Sequence, residues 1–180
     1  MPRRAAPGTR ARVKRAARKA GNGGNVSVPP ERVPRVLVLS GPNLDRLGRR
    51  EPDIYGRTTL AEIHRDLEEL AAIRGATVEC RQSNHEGTLI DWIGEASDQG
   101  FHAILINPGA FTHTSYALHD AIKGSALPTV ELHLSNPDAR EAFRRHSCVA
   151  PACLGRIAGF GPRSYRLALD GVLEHLRTRG

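Results

Sequence analysis

Five short apolar runs, each followed by a stretch with helical periodicity, constrain the fold of this chain more than any other feature. The runs lie at residues 36–40, 77–82, 103–107, 129–134 and 155–159, and the helical patterns at 59–74, 89–99, 114–123, 138–145 and 165–177. Strand-sized apolar runs that alternate with amphipathic helices imply a parallel sheet covered on both faces, because each parallel connection needs a crossover. The expectation is an α/β fold, specifically a flavodoxin-like five-stranded parallel sheet of order 2-1-3-4-5 with right-handed crossovers.

Local signals support the helices. Thr59 and Glu62 have capping-box spacing, with Leu60, Ile63, Leu67 and Leu70 at helical intervals behind them. Gly75, Gly100 and Gly124 stand where helices are expected to stop. Asn136-Pro137 places a capping side chain ahead of a proline suited to a first helical position.

The net charge of +7 invites a nucleic-acid reading, but its distribution argues otherwise. Residues 1–30 hold eight basic side chains and no acid, whereas the rest has 18 basic and 19 acidic residues. Residues 1–34 are therefore expected to be a disordered basic extension with few large apolar side chains, preceding one domain at 35–180. Non-specific electrostatic contact with nucleic acid is expected only through that arm. No apolar stretch approaches a membrane span, and Cys80, Cys148 and Cys153 lack metal-ligand spacing. The expectation is a cytoplasmic protein with reduced thiols, no membrane partner, no metal and no cofactor.

In a parallel sheet ligands bind beyond the carboxyl ends of the strands. Unusual polar residues gather there: Asn43 after the first run, Gln82 to Glu86 after the second, Asn107 to His113 after the third, and Glu131, His133, Leu134, Ser135 and Asn136 around the fourth. Glu131 and His133, two apart on a strand, share a face, so the carboxylate can orient or charge the imidazole. Arg140 and Arg144, four apart on an expected helix, suit a substrate carboxylate.

The loop GPNLDRLGRREPDIYG at 41–56 adds Tyr55 near Arg49 and Arg50. Making a phenolate at neutral pH requires about 4 kcal/mol. A guanidinium about 4 Å away at an effective dielectric of about 20 supplies that order of energy. Either arginine satisfies this arithmetic. The set suits removal of a proton next to a carbonyl and protonation of a departing hydroxyl. A glycine-rich phosphate loop, a G-x-S-x-G elbow and a central lysine are absent, which argues against phosphate cradling, serine nucleophiles and Schiff-base chemistry.

Taken together, GPNLDRLGRREPDIYG, QSNHEG, INPGAFTHTS, VELHLSN and AREAFRRHS resemble type II 3-dehydroquinate dehydratase from about Val36 to the C-terminus. The resemblance implies anti elimination of water from 3-dehydroquinate through an enolate, without metal or imine, in the shikimate pathway or in quinate catabolism. It implies Tyr55 as base, Arg50 as the group that favours its phenolate, His133 as proton donor, and Asn43 as holder of the water at the enolate. Glu131 would support the histidines, while Asn107, His113, Leu134, Ser135 and Arg144 would bind substrate. Asp120 would reach a neighbouring subunit's substrate in a homododecamer built as a tetramer of trimers. Asp45, His119 and the segment 161–165 depart from the family's usual residues, His119 and 161–165 at positions that bear on subunit contacts. The alternative is a catalytically inactive flavodoxin-like module that binds a small molecule or nucleotide.

Overall fold

The computed structural model describes residues 33–48 and 57–179, and of Arg179 the backbone alone. Arg49, Arg50, Tyr55 and nearly all of the expected basic extension lie outside the described residues. Strands β1 (Arg35–Ser40), β2 (Thr77–Gln82), β3 (Ala103–Asn107), β4 (Thr129–His133) and β5 (Gly155–Ala158) form one parallel sheet in the order β2-β1-β3-β4-β5. This is the flavodoxin-like order predicted from the alternating pattern. The long helices are α1 (Leu60–Ile73), α2 (Glu86–Glu95), α3 (Tyr116–Ser125) and α4 (Arg163–Arg179).

Alternation along the strands divides the core into two layers. Val36, Val38, Leu105 and Leu132 pack with Leu67 of α1 and Leu169 of α4. Leu37, Leu39, Ile104 and Ile106 pack with Ile93 of α2 and Ile122 of α3. Side chains of opposite parity thus serve opposite faces, as the pleat requires. Each fully buried leucine or isoleucine contributes about 1.5–3 kcal/mol relative to exposure.

The capping box at α1 is closed in both directions: Thr59 N–H donates to Glu62 Oε2 at 2.8 Å, and Glu62 N–H to Thr59 Oγ1 at 3.3 Å. Gly75 and Gly100 adopt left-handed backbone with φ of 70° and 76°. The expected stop at Gly124 is displaced, because α3 runs on to Ser125 and the left-handed residue is Ala126, φ 55°. Ser125 makes that end workable, its hydroxyl donating to Ile122 O at 2.8 Å and accepting from Leu127 N–H at 3.3 Å.

The expected helix at 138–145 does not form. The segment is two 3-10 turns, Pro137–Ala139 and Ala142–Arg145, separated by Arg140 in extended backbone with φ −112° and ψ −160°. Its one large apolar residue, Phe143, is exposed, so no apolar stripe anchors a longer helix. Arg140 and Arg144 consequently do not share a helix face, although Asn136 Oδ1 still caps the first turn by accepting from Asp138 N–H at 3.0 Å.

The ends of β1 and β3 meet closely. Gly41 N–H donates to Asn107 O at 2.8 Å, and a Cβ on Gly41 would stand 2.6 Å from Pro108 O. That overlap is with backbone and has no flexible side chain to relieve it. Gly41→Ala is expected to lower unfolding free energy by about 1–3 kcal/mol in urea titrations, the usual cost of overpacking.

Candidate active site

The carboxyl ends of β1, β3 and β4 enclose a pocket of about 390 Å³, within the range of small-molecule sites. Asn43, Asn107, His113, His133, Leu134, Ser135 and Arg144 all line it, together with Arg46, Arg140 and Glu141. Eight of the sequence-derived candidates, Arg140 included, therefore come together. Asp120 does not join them, being exposed on α3, and Arg50 and Tyr55 lie outside the described residues.

His133 lines the pocket, and Glu131 stands behind it without reaching the surface. The Glu131 carboxylate has no exposed surface. Its Oε1 lies 2.6 Å from His133 Nε2 and accepts from Thr112 Oγ1 at 2.6 Å, while Oε2 accepts from Ser147 Oγ at 2.8 Å. Burial by itself raises a carboxyl pKa, but the hydrogen bonds from His133, Thr112 and Ser147 and the charge of His133 outweigh it and hold this one below the ordinary value. An ionised carboxylate only accepts, so Nε2 of His133 carries a proton and Nδ1 is left for a ligand.

His113 is fixed by the same logic, with Nδ1 2.7 Å from the carbonyl of His146. That carbonyl only accepts, so Nδ1 is protonated and Nε2 is free to bond elsewhere. The segment carrying His146 is strapped to the β3–α3 connection by Cys148 N–H to Thr112 O at 2.8 Å and to α3 by His119 Nδ1 at 2.8 Å from Cys148 O. His119 thus holds the strap.

Asn107 is oriented from both ends of its amide, Oδ1 accepting from Gly109 N–H at 3.3 Å and Nδ2 donating to the Tyr165 hydroxyl at 3.4 Å. That hydroxyl also lies 3.1 Å from Ser40 Oγ. Burial pushes the Tyr165 phenol up to about 12 against these two hydrogen bonds, so it stays neutral and serves as support. Asn43 has left-handed backbone, φ 65°, and its N–H donates to Asn84 Oδ1 at 2.8 Å. At the pocket wall Arg144 Nε donates to Glu141 Oε2 at 2.7 Å and Arg140 Nη1 to Ser135 Oγ at 3.4 Å.

Sequence reasoning did not single out Thr112, Ser147, Arg156 or Tyr165. Thr112 and Ser147 lie inside quoted motifs, so adjacency to His113 and His146 was the available signal. Arg156 and Tyr165 act across the sheet, and nothing in their local sequence points to the partners they meet.

A flavodoxin-like sheet whose rim carries a carboxylate-supported imidazole defines an acid–base enzyme. A family profile described as dehydroquinase class II matches residues 34–173. A 3-dehydroquinate dehydratase of Thermus thermophilus is 57% identical over 145 residues, covering 81% of this chain and 97% of the relative. One of Variovorax paradoxus is 55% identical over 143 residues, covering 77% and 98%. The crystal structure of a type II dehydroquinase from Butyrivibrio crossotus superposes with a TM-score of 0.76 at 43% identity, covering 78% of this chain and 97% of that one. The chain belongs to the class II dehydroquinase family, a family of lyases.

The Glu131 arrangement carries a pH signature. Its carboxyl pKa is lower folded than unfolded, so the unfolded state binds the proton first and stability falls as pH drops below about 4.5. At neutral pH Glu131→Gln is expected to cost about 3 kcal/mol, the usual scale for breaking a buried pair. In urea titrations across pH 3–7 the gap between wild type and Glu131→Gln should narrow toward the acid end. A gap independent of pH would show that the charge of Glu131 is not what stabilises the fold.

Proposed function

We propose that this protein catalyses the reversible anti dehydration of 3-dehydroquinate to 3-dehydroshikimate. The observation that carries the reading is a pocket-lining His133 backed by the buried Glu131, in a chain whose relatives are named 3-dehydroquinate dehydratase. Tyr55 takes a proton from the carbon next to the ketone, and Arg50 favours its phenolate. The electron pair moves onto the carbonyl oxygen as an enolate, which a water held by Asn43 stabilises. The enolate then collapses, the carbon–oxygen bond to the β-hydroxyl breaks, and His133 delivers the proton that lets the hydroxyl leave as water. Tyr55 ends protonated and His133 neutral, so proton transfer between them or with solvent restores the resting state.

Asn107, His113, Leu134, Ser135 and Arg144 hold the substrate. This assignment is supported by their common position on the pocket wall and by the fixed orientation of Asn107 and His113. Asp120 contributes to a neighbouring subunit's site, a role consistent with its exposure on α3. The reading includes a homododecamer, a cytoplasmic location and a place in aromatic biosynthesis or quinate breakdown. Among the described residues no helix is long and apolar enough to cross a membrane.

Purified protein is expected to convert 3-dehydroquinate into a conjugated enone followed by ultraviolet absorbance. Tyr55→Phe should lose at least about a hundredfold in kcat, the lower range for a general base, while still binding substrate. Wild-type protein without turnover, or full activity in Tyr55→Phe, would contradict the assignment. Light scattering on the eluted protein should give about twelve times the 19.6 kDa chain mass, and a monomer mass would refute the assembly.

A further inference from the structure

Arg156 on β5 stands opposite Glu131 of β4 in the sheet register. Its Nε lies 3.7 Å from Glu131 Oε1, an ion-pair distance beyond hydrogen-bond length. Nε and Nη2 are both buried and have no hydrogen-bond partner among the described residues. A guanidinium kept in that condition is costly, so its contribution here is charge.

That charge matters at one moment in particular. While His133 carries its extra proton, imidazolium and carboxylate balance one another. Once the proton has gone to the departing hydroxyl, Glu131 is a carboxylate with no exposed surface beside a neutral ring. Thr112 and Ser147 donate hydrogen bonds but bring no charge. Among the described residues, Arg156 is the one remaining cation in ion-pair contact with Glu131.

We propose that Arg156 is a positioning residue for the proton donor: its fixed charge keeps Glu131 ionised and stabilises the state in which His133 has given up its proton. The proposal rests on the reading of His133 as that donor. An interaction that strengthens as the proton leaves accelerates the step, whereas one equally strong throughout does not. The other titratable groups around the pair are Cys153, with a thiol pushed up to about 12 by burial and by Glu131 and hence neutral, and, lining the pocket, Arg46, His113, Arg140, Glu141 and Arg144. Glu141 lies against both Arg140 and Arg144, at 3.6 and 2.7 Å, and offsets one of their two charges.

The test compares full-length wild type, Arg156→Met and Arg156→Lys by kcat, KM, thermal midpoint and nuclear magnetic resonance titration of the His133 ring, assigned by its loss in His133→Gln. Arg156→Met is expected to lower kcat about tenfold, which corresponds to about 1.4 kcal/mol. KM should hold, and Lys should recover part of the loss. The His133 ring should keep its proton to higher pH in Arg156→Met than in wild type. Unchanged kcat, or a loss that follows a lower melting temperature and is not recovered by Lys, overturns the proposal. The titration needs no turnover: an unmoved ring titration overturns it even if wild type proves not to be a dehydratase. A moved titration in a protein without turnover upholds the charge coupling and refutes the assigned reaction instead.

Discussion

A carboxylate with no exposed surface, Glu131, is the constraint on which the site depends. Removing such a charge from water costs several kcal/mol unless neighbours replace its hydration. Here the replacement is a shell of groups drawn from separate segments: His133 on the same strand, Thr112 after β3, Ser147 in the strap, and Arg156 across the sheet. Each neighbour that satisfies Glu131 is thereby fixed in place, and His133 is fixed facing the pocket. Stability and function draw on the same set of bonds.

The parallel sheet makes that convergence possible. All five strands run the same way, so the residues following them gather at one edge, and the close approach of Gly41 to Pro108 brings the ends of β1 and β3 together. Behind this edge Tyr165 reaches from α4 to Ser40 and Asn107, tying the helix layer to the orientation of a pocket amide. On the other face the strap from His146 to Ala150 is held by His113, His119 and Thr112 while its Ser147 holds Glu131. A pocket built this way has rigid walls made from distant parts of the chain, which suits a reaction that needs donors aimed in advance.

The strands and long helices were legible in the sequence because periodicity and burial agree there: a short run such as Val36 to Leu39, bounded by turn residues, buries every side chain as a strand covered on both faces. The segment 138–145 was misread because charge spacing resembled a helix, although Phe143 alone offered apolar surface. The end of α3 was misread for a local reason, since Ser125 supplies bonds that let Ala126 take the left-handed position expected of glycine. In the site, Glu131 and His133 were readable as a pair because strand geometry fixes the relation of residues two apart. Arg156 and Tyr165 were not, because register and crossover geometry bring them to their partners, and neither leaves a mark in the neighbouring sequence.

The division of labour between a base at Tyr55 and a proton donor at His133 is best tested in His133→Gln incubated with 3-dehydroquinate in deuterated water. Removing only the donor should leave proton abstraction intact. The account predicts deuterium entering the carbon next to the ketone in unreacted substrate while enone formation falls by at least about a hundredfold. Loss of exchange together with dehydration, in a variant that still folds and binds substrate, would contradict it.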